Sequence, residues 1–315
     1  MTDDASALLD RARQGDRVAT ARLISLVEAG GASARSVAQA TTPHTGAAWT
    51  VGITGAPGAG KSTLTDGLVH AMRAADLDVG VLAIDPTSPF SGGAILGDRV
   101  RMQDHAIDPG VFIRSMATRG HLGGLALATP QAVRVLDAVG KQWIVVETVG
   151  VGQVEVEIAG HADSTVVVVN PRWGDAVQAA KAGLLEIADL FVVNKADRPG
   201  AVETARDLEG MLDLAGDLDW RPPVLQTVAT DGTGLAELWG ALRAHREFLE
   251  ANGLVDGRRR ARVGAELRAI VAEQLREQAS ALGSGARFDA LVEKVAGREL
   301  DPFTAASELL DRDPG

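Results

Sequence analysis

"GITGAPGAGKSTL" occupies residues 52–64, and the reading of this stretch decides the fold. Its Gly55-Ala-Pro-Gly-Ala-Gly60-Lys61-Ser62 core fits G-x-x-x-x-G-K-[ST]. The short apolar run "TVGIT" precedes it, and Leu64, Leu68 and Met72 follow at helical spacing. Strand, Gly-rich turn and helix in that order make a P-loop. Glycines let backbone N–H groups turn towards a β-phosphate, and the helix N-terminus adds its positive dipole. Lys61 is expected at the β- and γ-phosphates, and the Ser62 hydroxyl on Mg2+.

Outward from this point, short apolar runs alternate with helical segments. "VGVLAID" (79–85), "QWIVVET" (142–148), "STVVVVN" (164–170), "DLFVVNK" (189–195) and "PPVLQTVA" (222–229) read as strands. The pattern predicts an α/β protein, a P-loop NTPase with a mainly parallel sheet covered by helices on both faces. Its chemistry is expected at the carboxyl ends of the strands. Residues 5–28 read as helix broken near Gly15-Asp16, with Leu8, Leu9, Ala12, Leu23, Ile24 and Val27 as the apolar face. "EAGGASARS" and "TTPHTG" read as the join to the main domain. After Gly234 the chain reads as helix over 235–251, 258–282 and 286–311. Leu267, Ile270, Val271 and Leu275 form a stripe on the second of these segments. That stripe packs either against the sheet or against a second copy of the chain. The expected organisation is an N-terminal helical segment (1–46), a nucleotide domain (47–250) and a C-terminal helical dimerisation segment (251–315).

Composition narrows the function. The 315 residues suit one large α/β domain with helical additions, and 46% hydrophobic residues support a sizeable core. A net charge of −11 argues against broad binding to nucleic acid or to a membrane surface. Cysteine is absent, which excludes disulfides, thiolate metal sites and cysteine nucleophiles and suits a reducing compartment. "MTDDASALLD" carries no apolar h-region of a signal peptide, and no apolar run approaches the roughly 20 residues of a membrane span. A cytoplasmic location is expected. The histidines, His44, His105, His121 and His161 among them, are scattered without ligand spacing, so no histidine metal site is expected.

Asn194-Lys195-Ala196-Asp197 closes a strand, as the N-K-x-D motif of GTPases does. Guanine presents N1–H and N2–H₂ donors, and the Asp197 carboxylate accepts from both, a charge-assisted pairing that adenine lacks. Asn194 is expected to support the base's other edge and the loop, with the Lys195 stem along the ring. "TVA" at 227–229, with Val228 and Ala229, follows the next strand, where GTPases place an amide against guanine O6. Glu147-Thr-Val-Gly150 stands where D-x-x-G is usual, placing an acid on Mg2+ through water and a glycine amide on the γ-phosphate. Val151 follows directly, where Ras-like enzymes carry a water-orienting glutamine, so Asp85 or Gln153 is the candidate for that task and unassisted turnover should be slow. Asp85 ends the second strand, and Asp98 follows a Gly-rich stretch suited to a switch around Mg2+. "RSMATRGHLGGLA" (114–126) is either a partner-facing loop or a solvated turn, and "GRRRAR" (257–262) reads as a solvated helix start.

Taken with the P-loop, "AIDPTSPFSGGAILGDRVRM", "RSMATRGHLGGLALATP", "ETVGVGQVEVEIAG", "WGDAVQAAKAGLLEIAD" and "NKADRP" closely resemble the MeaB/ArgK-type (methylmalonic aciduria type A-like) GTPases of the SIMIBI class. The resemblance is dense over residues 5–250. It implies GTP/GDP and Mg2+ as ligands and GTP hydrolysis as the reaction. Its implied role is a chaperone that protects an adenosylcobalamin-dependent methylmalonyl-CoA mutase and gates its cofactor loading. It also implies a homodimer joined through C-terminal helices. Carried over by motif, Gly58, Ala59, Gly60, Lys61, Ser62 and Thr63 hold the phosphates and Asn194, Lys195 and Asp197 the base. The Mg2+ and switch acids fall on Asp85, Asp98 and Glu147, and a third switch falls on 171–181, which includes Lys181. This chain reads Pro171-Arg172-Trp173-Gly174-Asp175 where the family reads P-G-W-G-D; if that glycine has positive φ, arginine strains the loop. Two alternatives are weaker. A kinase or ATPase of lysine/arginine/ornithine transport disagrees with "NKAD", and a nickel-insertion GTPase normally carries Cys/His ligands, whereas this chain has no cysteine.

Overall fold

The computed structural model describes residues 4–85, 105, 107–117, 122–148, 161–171 and 186–310. Three helices open the chain: α1 (Ala5–Arg13), α2 (Arg17–Ala29) and α3 (Gly31–Thr41). Then come β1 (Trp49–Gly55), α4 (Lys61–Ala74), β2 (Val79–Asp85), β3 (Val111–Ala117), α5 (Leu122–Ala138), β4 (Trp143–Thr148), β5 (Ser164–Val169) and β6 (Leu190–Asn194). α6 (Ala201–Leu214), β7 (Val224–Thr227), α7 (Leu235–Ala251), α8 (Val255–Leu282), α9 (Ala286–Ala296) and α10 (Pro302–Leu310) complete the described α-helices and strands, and a 3-10 turn (Thr42–His44) follows α3.

The seven strands form one parallel sheet in the order β3-β2-β4-β1-β5-β6-β7. The central strands β4, β1 and β5 are buried at every position, and because side chains alternate with period two their apolar runs supply both faces of the sheet. Val145, Val166 and Val168 face α4 and α7 in one core, with Leu64, Leu68, Met72, Leu238 and Leu242. Ile144 and Val146 face the other way, into a core shared with α1, α2, α3 and α5. Val167, Val169 and Val193 face α6. The chain runs from β1 through α4 towards β2 on one side and from β4 to β5 on the other. That reversal beside β1 opens a crevice at the carboxyl ends.

Most elements lie where the sequence places them, with three differences. Residues 31–41, which overlap both stretches read as the join (28–36 and 41–46), form α3, because Val37 and Thr41 are buried against the sheet-covering core and small residues fit the close packing. Of the segment 114–126, read as a loop or turn, residues 114–117 belong to the edge strand β3 and 122–126 open the helix α5. The pairing of β3 with β2 supplies the strand's backbone partners, and Arg114 donates to Ser25 Oγ at 3.0 Å and to Glu28 Oε2 at 2.5 Å. The last predicted helix divides into α9 and α10, since Arg298 takes φ of +63° after Gly297 and Pro302 opens a new turn.

The "GRRRAR" stretch is also not merely solvated. Arg259 and Arg262 bind the carboxylate of Asp163, and Arg258 binds Asp189 at 3.0 Å. Two compact units divide the chain, Met1–Val263 and Gly264–Gly315. In the second, Leu267, Val271 and Leu275 are exposed on α8.

Candidate nucleotide site

β1 ends in the phosphate loop, and α4 begins at Lys61. Gly55 takes φ of +131° and Gly60 takes φ of +92°. A Cβ at Gly55 would strike the Val168 carbonyl of β5, and one at Gly60 would strike Asn194 Nδ2. Both positions therefore require glycine for backbone angle and for space. α4 starts without a side-chain cap, so its first N–H groups are available to an anion.

Lys61 is buried, and its Nζ donates to the carbonyls of Gly55 at 2.7 Å and Ala56 at 3.1 Å. The ammonium is thereby held inside the loop rather than extended into solvent. The Ser62 hydroxyl donates to Glu147 Oε1 at 2.6 Å, and both residues are buried. Register explains the meeting. Glu147 of β4 lies beside Ile53 of β1, two residues before the loop begins. A hydroxyl and a carboxylate converging at the mouth of a P-loop are hard oxygen donors, the set that Mg2+ takes alongside phosphate oxygens. The extra methylene of glutamate relative to the usual aspartate does not prevent that approach. Asp85 ends β2, whose Ile84 pairs with Thr148 of β4, so its backbone reaches the same edge of the crevice.

Asn194 closes β6 and is buried. Its Nδ2 donates to the Ala59 carbonyl at 2.8 Å, while its Oδ1 accepts from Thr227 Oγ1 at 3.0 Å and from the Ala229 amide at 3.1 Å. One side chain thus joins the phosphate loop, β6 and the loop after β7. Lys195, at φ of +60°, sends its Nζ to the Gly58 carbonyl at 2.7 Å. Asp197 is exposed beyond it, as a carboxylate that meets a ligand base must be. Val228 bonds Thr233 across a short bridge, fixing the loop that carries Ala229. The sequence reading assigned the 227–229 amide to the base; in this structure the Ala229 amide is engaged by Asn194. Thr227 had no individual role in that reading, and only its register opposite Asn194 in the β6–β7 pair reveals one. Asp98, Gly150, Gln153 and the 172–181 part of the third switch, Arg172 and Lys181 included, lie outside the described residues.

The family described as methylmalonyl-CoA mutase-associated GTPase MeaB matches residues 20–284. The chain belongs to the MeaB family. A protein of Pyrococcus abyssi named as a GTPase is 53% identical over 307 residues, covering 96% of this chain and 95% of that protein. Within the same range of relatives, GTPase ArgK of Escherichia coli is 37% identical over 252 residues, 77% of this chain and 76% of its own length. The mouse mitochondrial methylmalonic aciduria type A homolog is 34% identical over 266 residues, 82% of this chain and 64% of that protein. Among solved structures, one titled LAO/AO transport system kinase superposes with a TM-score of 0.73 at 27% identity, covering 98% of this chain and 96% of that one. The seven-stranded parallel sheet flanked by helices is thus a P-loop NTPase fold like that of the similar solved structure. No helix among the described residues is long and apolar enough to cross a membrane.

Proposed function

We propose that this protein binds GTP with Mg2+, hydrolyses it slowly, and uses the cycle to protect an adenosylcobalamin-dependent methylmalonyl-CoA mutase and gate its cofactor loading. The observation that carries the nucleotide half is the Asn194 junction. It locks the guanine motif to the phosphate loop, so base identity and phosphate state are read by one connected unit. The family's description as mutase-associated and the methylmalonic aciduria relative support the mutase half. A homodimer through α8 fits the exposed Leu267, Val271 and Leu275.

In this reading Lys61 exchanges its carbonyl contacts for the β- and γ-phosphate oxygens, and the first amides of α4 hold the β-phosphate. Gly58, Ala59, Gly60 and Thr63 shape the cradle. Ser62 and Glu147 hold Mg2+ with Asp85 and Asp98, and the metal supplies charge neutralisation at the phosphates. Gly150 meets the γ-phosphate, and Asp85 or Gln153 orients the attacking water. Asp197 pairs with guanine between Lys195 and the Val228–Ala229 loop.

Turnover of GTP and ATP by the purified protein, with and without the mutase of the same organism, tests both halves. Slow GTP turnover that rises with mutase, with ATP inert, is the expected outcome. Equal use of ATP overturns the guanine assignment and favours the transport-kinase reading that the similar solved structure's title carries. Absence of a complex with the mutase in either nucleotide state overturns the client.

A further inference from the structure

Sequence spacing predicts no histidine metal site, yet the fold assembles one candidate. Asp66 and His70 are four residues apart on α4, on the side away from the buried Leu64, Leu68 and Met72. Such i,i+4 residues share a helix face. The chain ahead of β3 brings His105 onto that face, where its ring lies 4.1 Å from the His70 ring, centroid to centroid. Each of the three side chains offers a ligand atom, and these atoms all lie within 4.8 Å of one another.

His105 is only 4% exposed, and its Nε2 is buried without a hydrogen bond. Asp66 Oδ1 lies 3.4 Å from that nitrogen. Ligands held about 2.0–2.1 Å from a tetrahedral ion stand about 3.3 Å apart, so this pair already has the spacing of one tetrahedron edge. His70 Nδ1 lies 3.1 Å from the Asp66 carbonyl of its own helix. Donation to that carbonyl puts the hydrogen on Nδ1 and leaves a lone pair on Nε2, the usual arrangement in which a backbone carbonyl orients a metal-binding imidazole. His70 is itself exposed, which gives an ion a way in and leaves a coordination position for water.

We propose that Asp66, His70 and His105 form a binding site for a divalent transition cation of the zinc class, which clamps the chain at residue 105 to the P-loop helix. Two imidazoles and one carboxylate favour Zn2+ over Mg2+, because nitrogen ligands suit the softer ion. The site is on the outer face of α4 and shares no residue with the nucleotide site. It stands independently of the proposed function.

Zn2+ binding to the full chain, stripped with chelator and then held in excess Mg2+ and GDP so that the P-loop is filled, tests it. The expected result is one Zn2+ per chain and a higher unfolding temperature with the metal. His70→Ala should weaken binding roughly tenfold or more, and His105→Asn should do the same. His70 is solvent-exposed, so its variant keeps the fold, and far-UV circular dichroism checks both. Substitution with Co2+ should give the visible absorption of a tetrahedral nitrogen-ligated ion, lost in His70→Ala. Failure to bind one equivalent, or binding unchanged in a folded His70→Ala variant, overturns the site. Ser62→Ala should impair the nucleotide site and leave Zn2+ binding intact, so the two sites fail separately.

Discussion

Asn194 Nδ2 donates to the Ala59 carbonyl at 2.8 Å, tying the end of β6 to the phosphate loop across 135 residues of sequence. The same side chain accepts from Thr227 and Ala229, so three loops at the carboxyl edge meet on one amide group. A group this saturated positions the site and supports the fold together.

Asn194→Ala should therefore lose on both counts. Truncation leaves the Ala59 carbonyl, the Thr227 hydroxyl and the Ala229 amide without their partner, a cost of about 2–4 kcal/mol in stability. Urea unfolding should show the loss, and affinity for GDP and GTP should fall in parallel.

Asp197→Asn should behave differently, because Asp197 is exposed and its removal costs the fold no more than about 0.5 kcal/mol. Losing the carboxylate proposed to accept from two guanine donors should weaken GTP by about a hundredfold or more. Xanthine nucleotides, which carry a carbonyl where guanine has its amino group, should bind the variant better than GTP does. Competition binding with GTP, XTP and ATP reads this directly.

Glu147→Gln keeps the shape that meets the Ser62 hydroxyl and removes the charge. The Mg2+ concentration for half-maximal hydrolysis should rise roughly tenfold or more, while GDP affinity without Mg2+ changes little. A Mg2+ titration of turnover separates the two effects.

Asp163 gives the fold a pH dependence. Burial pushes its carboxyl pKa up, but Arg262, Arg259 and the Thr50 amide outweigh burial and hold it below the ordinary value. A depressed folded-state pKa gives stability that is present above the unfolded value, about pH 4, and is lost as pH falls through the folded value. Asp189 behaves the same way. Burial again opposes, and His245 and Arg258 prevail. Stability from urea unfolding should fall steeply on acidification, and Asp163→Asn should flatten that slope while lowering stability at neutral pH by stranding two arginines.

The proposed homodimer through α8 predicts that Leu267→Asp together with Val271→Asp gives a folded monomer where the parent chain is dimeric, because both side chains are exposed within the chain. Sedimentation velocity of the variant gives the answer. An unchanged sedimentation coefficient at equal concentration would remove α8 as the interface.

The legible part of this protein is the part with short-range logic. The P-loop combines a strand, glycine φ values and a helix start within fourteen residues, and the continuous apolar strands mark a sheet covered on both faces. Glu147 and Asn194 were legible for a related reason, since each ends an apolar run and strand ends converge in a parallel sheet. α3 was not legible. Its small residues carry a weak helical pattern, and only packing against the core makes Val37 and Thr41 its buried face. β3 hid because an edge strand holding an arginine lacks the all-apolar signature of its neighbours. The charges at 257–262 read as solvated because their partners, Asp163 and Asp189, lie some seventy to a hundred residues away.

Local sequence by itself determined the P-loop, the guanine motif, the parallel α/β class and the family, because each depends on residue types at short spacing. Tertiary structure alone decided which side chains meet. Only the β1–β4 register brings Glu147 to Ser62, only the approach of β6 to the phosphate loop lets Asn194 reach Ala59, and only the chain ahead of β3 carries His105 to Asp66 and His70. A contact between residues tens of positions apart is fixed by how elements pack, and no local spacing encodes that packing.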